Sequence, residues 1–505
     1  MTPPILWCSI KFLRSGVKSV PGNAMVKSWP IFLRKCSIFR KFGLSMLWKT
    51  ILSIVLIQNV ALASEIETIL NDKGIRPNKT AVYAVNVHTG TPVVAYHEET
   101  QLNPASTAKN FASYCVLKEL GPEYQLTTRF HTNHSMKDGT IKDLWVTGNG
   151  DPGFVSESLW VSVQNLKMQG IRTITGDIII DGSPFDSGEY PGRQDGNERA
   201  YNALLSAAPL NFNSVALSVF PNPQGSGPAV VSAFPAIPYF SVRNQVITRG
   251  KSPTVTADAV VAGEKEEFVL SGAIPAAAKP ITIYRSVARP AQMFGEALKN
   301  QLLEVGIQFS GKVRHAPVPA QTVLLYEHLS KPLSLIVRDI NKYSNNFATE
   351  QLVKHLGGVK EGLPGSTTKG LKAVKQCLAN AKIPMKGLHL ENGSGLSYKN
   401  TATARQLVET LMEAHRDFSV YPEFTAALSI YGTDGTMRKR NFQKELLKMT
   451  RAKTGSLNGI STLAGYLQTR KGNLLAYAIL MNDCKASLER THQLQDKILA
   501  RLYNE

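Results

Sequence analysis

Residues 103–120 read NPASTAKNFASYCVLKEL, and the fold turns on how Ser106 and Lys109 are read within them. From about Thr107 to Leu120 the stretch is helical in pattern and largely apolar, and Gly121-Pro122 stops it. Ser106 opens this helix, so one helix face beside it can enter a core. Residues three apart share a helix face, which lets the Lys109 amine reach the Ser106 hydroxyl. Partial burial lowers an amine's pKa, and an unprotonated lysine can accept the proton that a serine nucleophile must lose. The same S-x-x-K spacing recurs at Ser15–Lys18 and Ser366–Lys369. Ser15 lies in a basic leader, and Ser366 follows Pro364-Gly365, where a serine reads as a helix N-cap.

Two further short elements carry suitable chemistry. Lys453-Thr454-Gly455, followed by Ser456, precedes a strongly alternating strand. A lysine on a strand edge beside a hydroxyl attracts a carboxylate, and glycine lets a ligand approach the backbone. Alone, Lys453 would read as an exposed turn residue. Ser344-Asn345-Asn346 lies in NKYSNNFATEQL, where Ser344 or Asn345 would also serve as the cap of the helix that follows. Other signatures fail. Gly148, Gly150 and Gly153 match G-x-G-x-x-G, but Asp151-Pro152 interrupts them and they read as a turn. There is no H-E-x-x-H, G-x-S-x-G or C-x-x-C, which removes the zinc-peptidase, α/β-hydrolase and structural-zinc readings.

The order S-x-x-K, S-x-N, K-T-G is the constellation of penicillin-binding proteins and serine β-lactamases. Ser106 to Ser344 spans 238 positions and Ser344 to Lys453 spans 109, which leaves room for a long insertion between the first two motifs. The chain resembles the low-molecular-mass class C penicillin-binding proteins, the D-alanyl-D-alanine carboxypeptidase/endopeptidase family, over residues 65–505. GNGDPGF, ITGDIIIDGSPFD, YNALLSAAPLNFNSVAL, ENGSGLSYKN and YGTDGTMRKR also match. The family usually has Asp where Asn392 stands and Arg where Tyr398 stands. Tyr343-Ser344-Asn345 also fits the Y-x-N of class C β-lactamases, and the flanking segments favour the Ser344-Asn345-Asn346 register.

The resemblance implies an α/β (α+β) fold of the β-lactamase/transpeptidase type, an antiparallel sheet flanked by helices and interrupted by a β-rich insertion. It makes Ser106 the nucleophile, Lys109 its base and Ser344 a proton relay, with Lys453 depressing the pKa of Lys109. Asn346 would bind the substrate's amide backbone, and Lys453 and Thr454, beside Gly455, its carboxylate. The backbone N–H groups of Ser106 and Ser456 would form the oxyanion hole. No metal, nucleotide or other cofactor is required. The implied substrates are peptidoglycan peptides ending in D-Ala-D-Ala, with β-lactams as covalent inhibitors. The rival readings are a serine β-lactamase of the same superfamily and a non-catalytic wall-binding protein. Asp181 and Asp186 could meet an amino group of the peptide, but read better as turn residues.

The 505 residues carry a net charge of +19, and with 43% hydrophobic residues they are neither disordered nor collagen-like. Nine of the basic residues fall within residues 1–64, which contain no Asp or Glu. That leader ends in KTILSIVLIQNVALAS: a basic flank, an apolar run from Ile51 to Ile57, and Ala61-Leu62-Ala63. The order describes a secretory signal peptide, the run is too short for a permanent anchor, and Met46 stands as an alternative start. Export to the periplasm follows, with at most peripheral membrane association. The +10 left on residues 64–505 suits an acidic cell wall and gives a nucleic-acid reading no support.

Along the mature chain, hairpins are expected around Thr89-Gly90 and Asp138-Gly139. Helices are expected near 155–168, 291–305, 333–340, 347–356, 371–379 and 403–414, then two strands and a helix closing at Tyr503. Short Val-rich runs between 203 and 287 suggest a small β module. The division expected is a leader over 1–63, a discontinuous catalytic domain over 64–129 and 317–505, and an inserted region over 130–316. Cys115, Cys377 and Cys484 allow one disulfide at most and read as core residues. Mass spectrometry of the exported protein is expected to find a chain beginning at Ser64; one that still carries Ile51 contradicts the signal-peptide reading.

Overall fold

The structure is a computed structural model that describes Leu62 and residues 64–193, 199–440 and 442–505. The leader, the cleavage site after Ala63, and the Ser15–Lys18 pair lie outside the described residues.

Six strands form the sheet that organises the catalytic part, in the order Ser429–Ile430, Thr450–Leu457, Ile460–Gln468, Leu474–Met481, Thr80–Asn86 and Pro92–Tyr96. Every pairing in it is antiparallel. Among the described residues the first long strand thus pairs with the last. Strands such as Leu474–Met481 are buried on both faces, which is why LLAYAILM is a nearly continuous apolar run. One face packs on the closing helix Leu488–Tyr503 and on Ile66 and Leu70. The other carries Ala81, Tyr83, Tyr466 and Ala478 against a cluster of helices.

At the centre of that cluster lies the helix Lys109–Leu120, entered by a 3-10 turn over Ala105–Ala108. The sequence suggests burial of one face, but Lys109 to Leu117 are buried all round. The helices Leu333–Tyr343, Asn346–Glu361, Thr367–Asn380 and Ala404–Arg416 surround it. Cys115 is bonded to Cys377, tying the central helix to Thr367–Asn380 across 262 residues of sequence. These two cysteines thus do more than fill the core. A cross-link of this kind typically stabilises by about 2–4 kcal/mol. Ser366 is the N-cap of Thr367–Asn380, accepting from Lys369 N at 3.1 Å.

A second, five-stranded sheet runs Val313–His315, Ile178–Asp181, Leu144–Gly148, Thr127–Thr132 and Val323–Leu329. In its outer pair, Thr127–Thr132 crosses the junction expected at 129/130, and its partner Val323–Leu329 lies beyond the one expected at 316/317. This pairing joins segments nearly 200 residues apart in the chain. Asp138 and Gly139 both have positive φ, as a tight two-residue hairpin turn requires. Between 214 and 286 the strands form a three-stranded and a four-stranded sheet. Gly150, with φ +91°, turns the glycine-rich segment there, and the buried Asp151 accepts from Gly153 N. Asp181 accepts from Ser183 N, as a turn residue does, and from Val318 N, whereas the Asp186 carboxylate pairs with Lys354. Among the described residues no helix is long and apolar enough to cross a membrane.

The helices Asn346–Glu361 and Thr367–Asn380 touch at glycines. A Cβ on Gly370 would strike the Val353 carbonyl oxygen and lie 2.6 Å from its carbon. Alanine gains about 1 kcal/mol in helix propensity, whereas overpacking such a contact costs about 1–3 kcal/mol. Gly370→Ala is expected to lose about 1–2 kcal/mol in denaturant unfolding, and a stabilised variant would show that the helices part freely.

Candidate active site

Three elements converge on one pocket of buried polar groups. The 3-10 turn supplies Ser106, and the first helical residue after it is Lys109, which has no exposed surface. The turn after Leu333–Tyr343 supplies Ser344, and the first residue of Asn346–Glu361 is Asn346 itself. The strand Thr450–Leu457 supplies Lys453, Thr454, Gly455 and Ser456. The K-T-G tripeptide is thus inside a strand rather than ahead of one.

Lys109 Nζ donates to Ser106 Oγ at 3.1 Å, to Asn346 Oδ1 at 2.7 Å and to the Ser394 carbonyl at 2.5 Å. Lys453 Nζ donates to Ser344 Oγ at 3.0 Å and to the Thr454 carbonyl at 2.7 Å. Thr454 donates its hydroxyl to Thr436 Oγ1 at 2.7 Å. All eight residues singled out in the sequence are therefore gathered on these three elements. Tyr343 is 70% exposed and Asn345 is spent on capping, accepting from Ala348 N, so Ser344 and Asn346 are the pair that meets the lysines.

Backbone geometry brings them this close. Ala105 and Ser344 have φ of +45° and +57°, a left-handed conformation that a side chain disfavours. A Cβ on Gly455 would hit Thr462 Oγ1 and lie 2.8 Å from Ser106 N, so only glycine lets the strand reach the turn that carries Ser106. Ser429–Ile430 pairs only with Arg451 and Ala452. Among the described residues no strand pairs with that edge from Lys453 onward, which leaves room for an extended peptide.

Burial drives the Lys109 amine down to about 7, against the opposing pull of the Glu350 carboxylate. The sequence leads one to expect Lys453 to depress Lys109. Instead burial does so, and it is Lys453 that is held far below its usual value, by burial first and by the charge of Lys109 second. Glu350 is fully buried, and burial raises its pKa against hydrogen bonds from Ser394 and Gly393. Sequence reasoning missed Glu350 and the Ser394 carbonyl. Asn346 and Glu350 are four apart, hence on one helix face, and that spacing was the available signal.

A model of the D-Ala-D-Ala carboxypeptidase 3 (S13) family matches residues 62–502. The chain belongs to that family. It is 30% identical to the D-alanyl-D-alanine carboxypeptidase of an Actinomadura species over 87% of this chain and 84% of that one. To the D-alanyl-D-alanine carboxypeptidase DacB of Haemophilus influenzae it is 28% identical over 84% and 90%. The crystal structure of penicillin binding protein 4 from Haemophilus influenzae superposes with a TM-score of 0.77 at 26% identity, covering 88% of this chain and 99% of that one. As a member of the S13 family the chain is a serine-type D-alanyl-D-alanine carboxypeptidase with a penicillin-binding-protein fold.

A buried amine with a pKa near 7 becomes protonated as the pH falls and can then no longer accept a proton. D-Ala release, measured as kcat/KM, is expected to rise about tenfold per pH unit below 7 and to level off above it. A flat profile through this range would show that Lys109 is not the titrating base.

Proposed function

We propose that the enzyme hydrolyses peptidoglycan stem peptides through an ester on Ser106. Lys109 takes the hydroxyl proton as Ser106 Oγ attacks the carbonyl of the penultimate D-Ala. The peptide C–N bond then breaks, and the proton reaches the leaving amine by way of Ser344. Water hydrolyses the ester in the second half of the cycle, with the same groups moving its proton. The observation that carries this reading is the pair of buried lysines, each within 3.1 Å of its own serine hydroxyl.

Asn346 holds the donor peptide's amide, and Lys453 and Thr454 receive the terminal carboxylate at the open strand edge. The N–H groups of Ser106 and Ser456 stabilise the tetrahedral oxyanion, a contact typically worth about 3 kcal/mol. Because the Asn346 side chain also accepts from Lys109, substrate binding and base orientation are joined in one residue. β-Lactams place a carboxylate and a reactive carbonyl similarly and acylate the same serine; the Haemophilus influenzae relative has been crystallised with one. The catalytic work belongs to the segments on either side of the inserted region, 64–129 and 317–505, with 130–316 as the insertion. Export to the periplasm fits the Cys115–Cys377 bond, since disulfides persist in oxidising compartments.

Labelling with a fluorescent penicillin is expected to place one adduct on Ser106, visible by peptide mapping and slow to hydrolyse. The adduct is expected to vanish in Ser106→Ala. Persistence in that variant would refute the assignment, and rapid turnover of the drug would favour a β-lactamase.

A further inference from the structure

Beside Ser344 the inserted module and the catalytic loop enclose a cavity of about 520 Å³. Its floor on the catalytic side is Tyr343 to Phe347, and its opposite wall is the three-stranded sheet of the module. Phe234, Ala216 and Tyr284 sit in register across that sheet, so their side chains share one face. The small alanine between two aromatics leaves a trough. Phe234 is 55% and Tyr284 57% exposed, an unusual cost for rings that touch no core.

Phe212 closes one end, edge-on to Phe347 with centroids 6.2 Å apart. It is the middle of three consecutive residues, Asn211 to Asn213, that all have positive φ. The flanking asparagines hold that conformation: Asn211 bonds Ser156 N and Oγ, and Asn213 bonds the Leu204 carbonyl and Ser206. A strained turn, braced on both sides, thus presents an aromatic ring to the cavity. Among the described residues lining it there is no Lys, Arg, Asp or Glu.

We propose that this cavity is the leaving-group subsite for cross-linked substrates. It would receive a second stem peptide whose side-chain amine, on an aliphatic arm, is joined to the D-Ala carbonyl that Ser106 attacks. The inference rests on the function proposed above, in which Ser344 delivers the proton to the departing amine. Whatever that amine carries must lie next to Ser344, and the cavity is lined by Ser344, Asn345 and Asn346. A single departing D-Ala does not need 520 Å³ of uncharged, aromatic-walled space. An aliphatic arm does fit between rings, where its methylenes leave water. Hydrolysis of this bond balances as for D-Ala release: the acyl group passes to Ser106, the amine leaves with the relayed proton, and water frees the acid. The module's contribution is thus to choose between trimming a stem peptide and cutting a cross-link.

The test compares two purified substrates, a monomeric muropeptide with a pentapeptide stem and a cross-linked muropeptide dimer, with penicillin acylation as a control for the intact site. Phe234→Ala/Tyr284→Ala, which opens the trough, and Ala216→Trp, which fills it, are each expected to lower kcat/KM on the dimer by about tenfold or more. D-Ala release from the monomer and the acylation rate should stay at the wild-type level. Loss of both activities together, or of neither, would overturn the proposal, as would a wild-type enzyme inert on the dimer but active on the monomer. If the wild type neither releases D-Ala nor takes up penicillin, it is the proposed function that fails.

Discussion

The structure depends on keeping one lysine amine dry. Holding Lys109 near 7 instead of 10.5 corresponds to about 5 kcal/mol against its ammonium form. That disfavour arises only because the helix Lys109–Leu120 is surrounded by four other helices and backed by the sheet. An amine so buried still needs acceptors, and three meet it: Ser106 Oγ, Asn346 Oδ1 and the Ser394 carbonyl. Those acceptors come from three parts of the chain, so the requirement of one buried group assembles the site. Glu350, also buried, moderates the effect; without its nearby carboxyl the amine would fall further.

The sheet answers a different requirement. Lys453 Nζ meets Ser344 Oγ at 3.0 Å, and the strand passes so close to Ser106 that a Cβ on Gly455 would lie 2.8 Å from its N. Gly455 permits the approach, and the two-residue strand Ser429–Ile430 leaves the edge beyond it unpaired. A longer edge strand would saturate the backbone groups that an extended peptide needs. The site is therefore a place where regular pairing stops early, next to a helix that is buried more completely than its sequence requires.

How much of this the sequence discloses follows from the range of the interactions. The hairpin at Asp138-Gly139, the helix stop at Gly121-Pro122 and the Ser366 cap are local, and short-range chemistry suffices to read them. Ser106, Ser344 and Lys453 are legible because their spacing forms a constellation, although each alone has a commonplace reading. Glu350 was hidden because one charged residue in FATEQLVKHLGG resembles any solvated helix position; only the packing of Gly393 and Ser394 over it shows that it is buried. The Cys115–Cys377 bond joins helices 262 residues apart, and three cysteines in a sequence do not say which two meet. The pairing of Thr127–Thr132 with Val323–Leu329 is illegible for the same reason, since strand pairing is settled at long range.

The backbone at the two serines completes the argument. Ala105, just before Ser106, and Ser344 both adopt left-handed conformations, each costing on the order of 1–3 kcal/mol. Neither is a glycine, which would adopt the same backbone without that steric cost but would add freedom to the unfolded chain and looseness to the site. At Ser344 the side chain itself is needed, as the hydroxyl that Lys453 reaches. At Ala105 the Cβ is fully buried against the core and fixes the turn on which Ser106 rides. The large helical core and the disulfide supply the stability against which this local strain is held. A serine hydroxyl kept 3.1 Å from a neutral-leaning amine then needs little reorganisation when a substrate carbonyl arrives, which is where preorganised polar groups have their largest effect on rate.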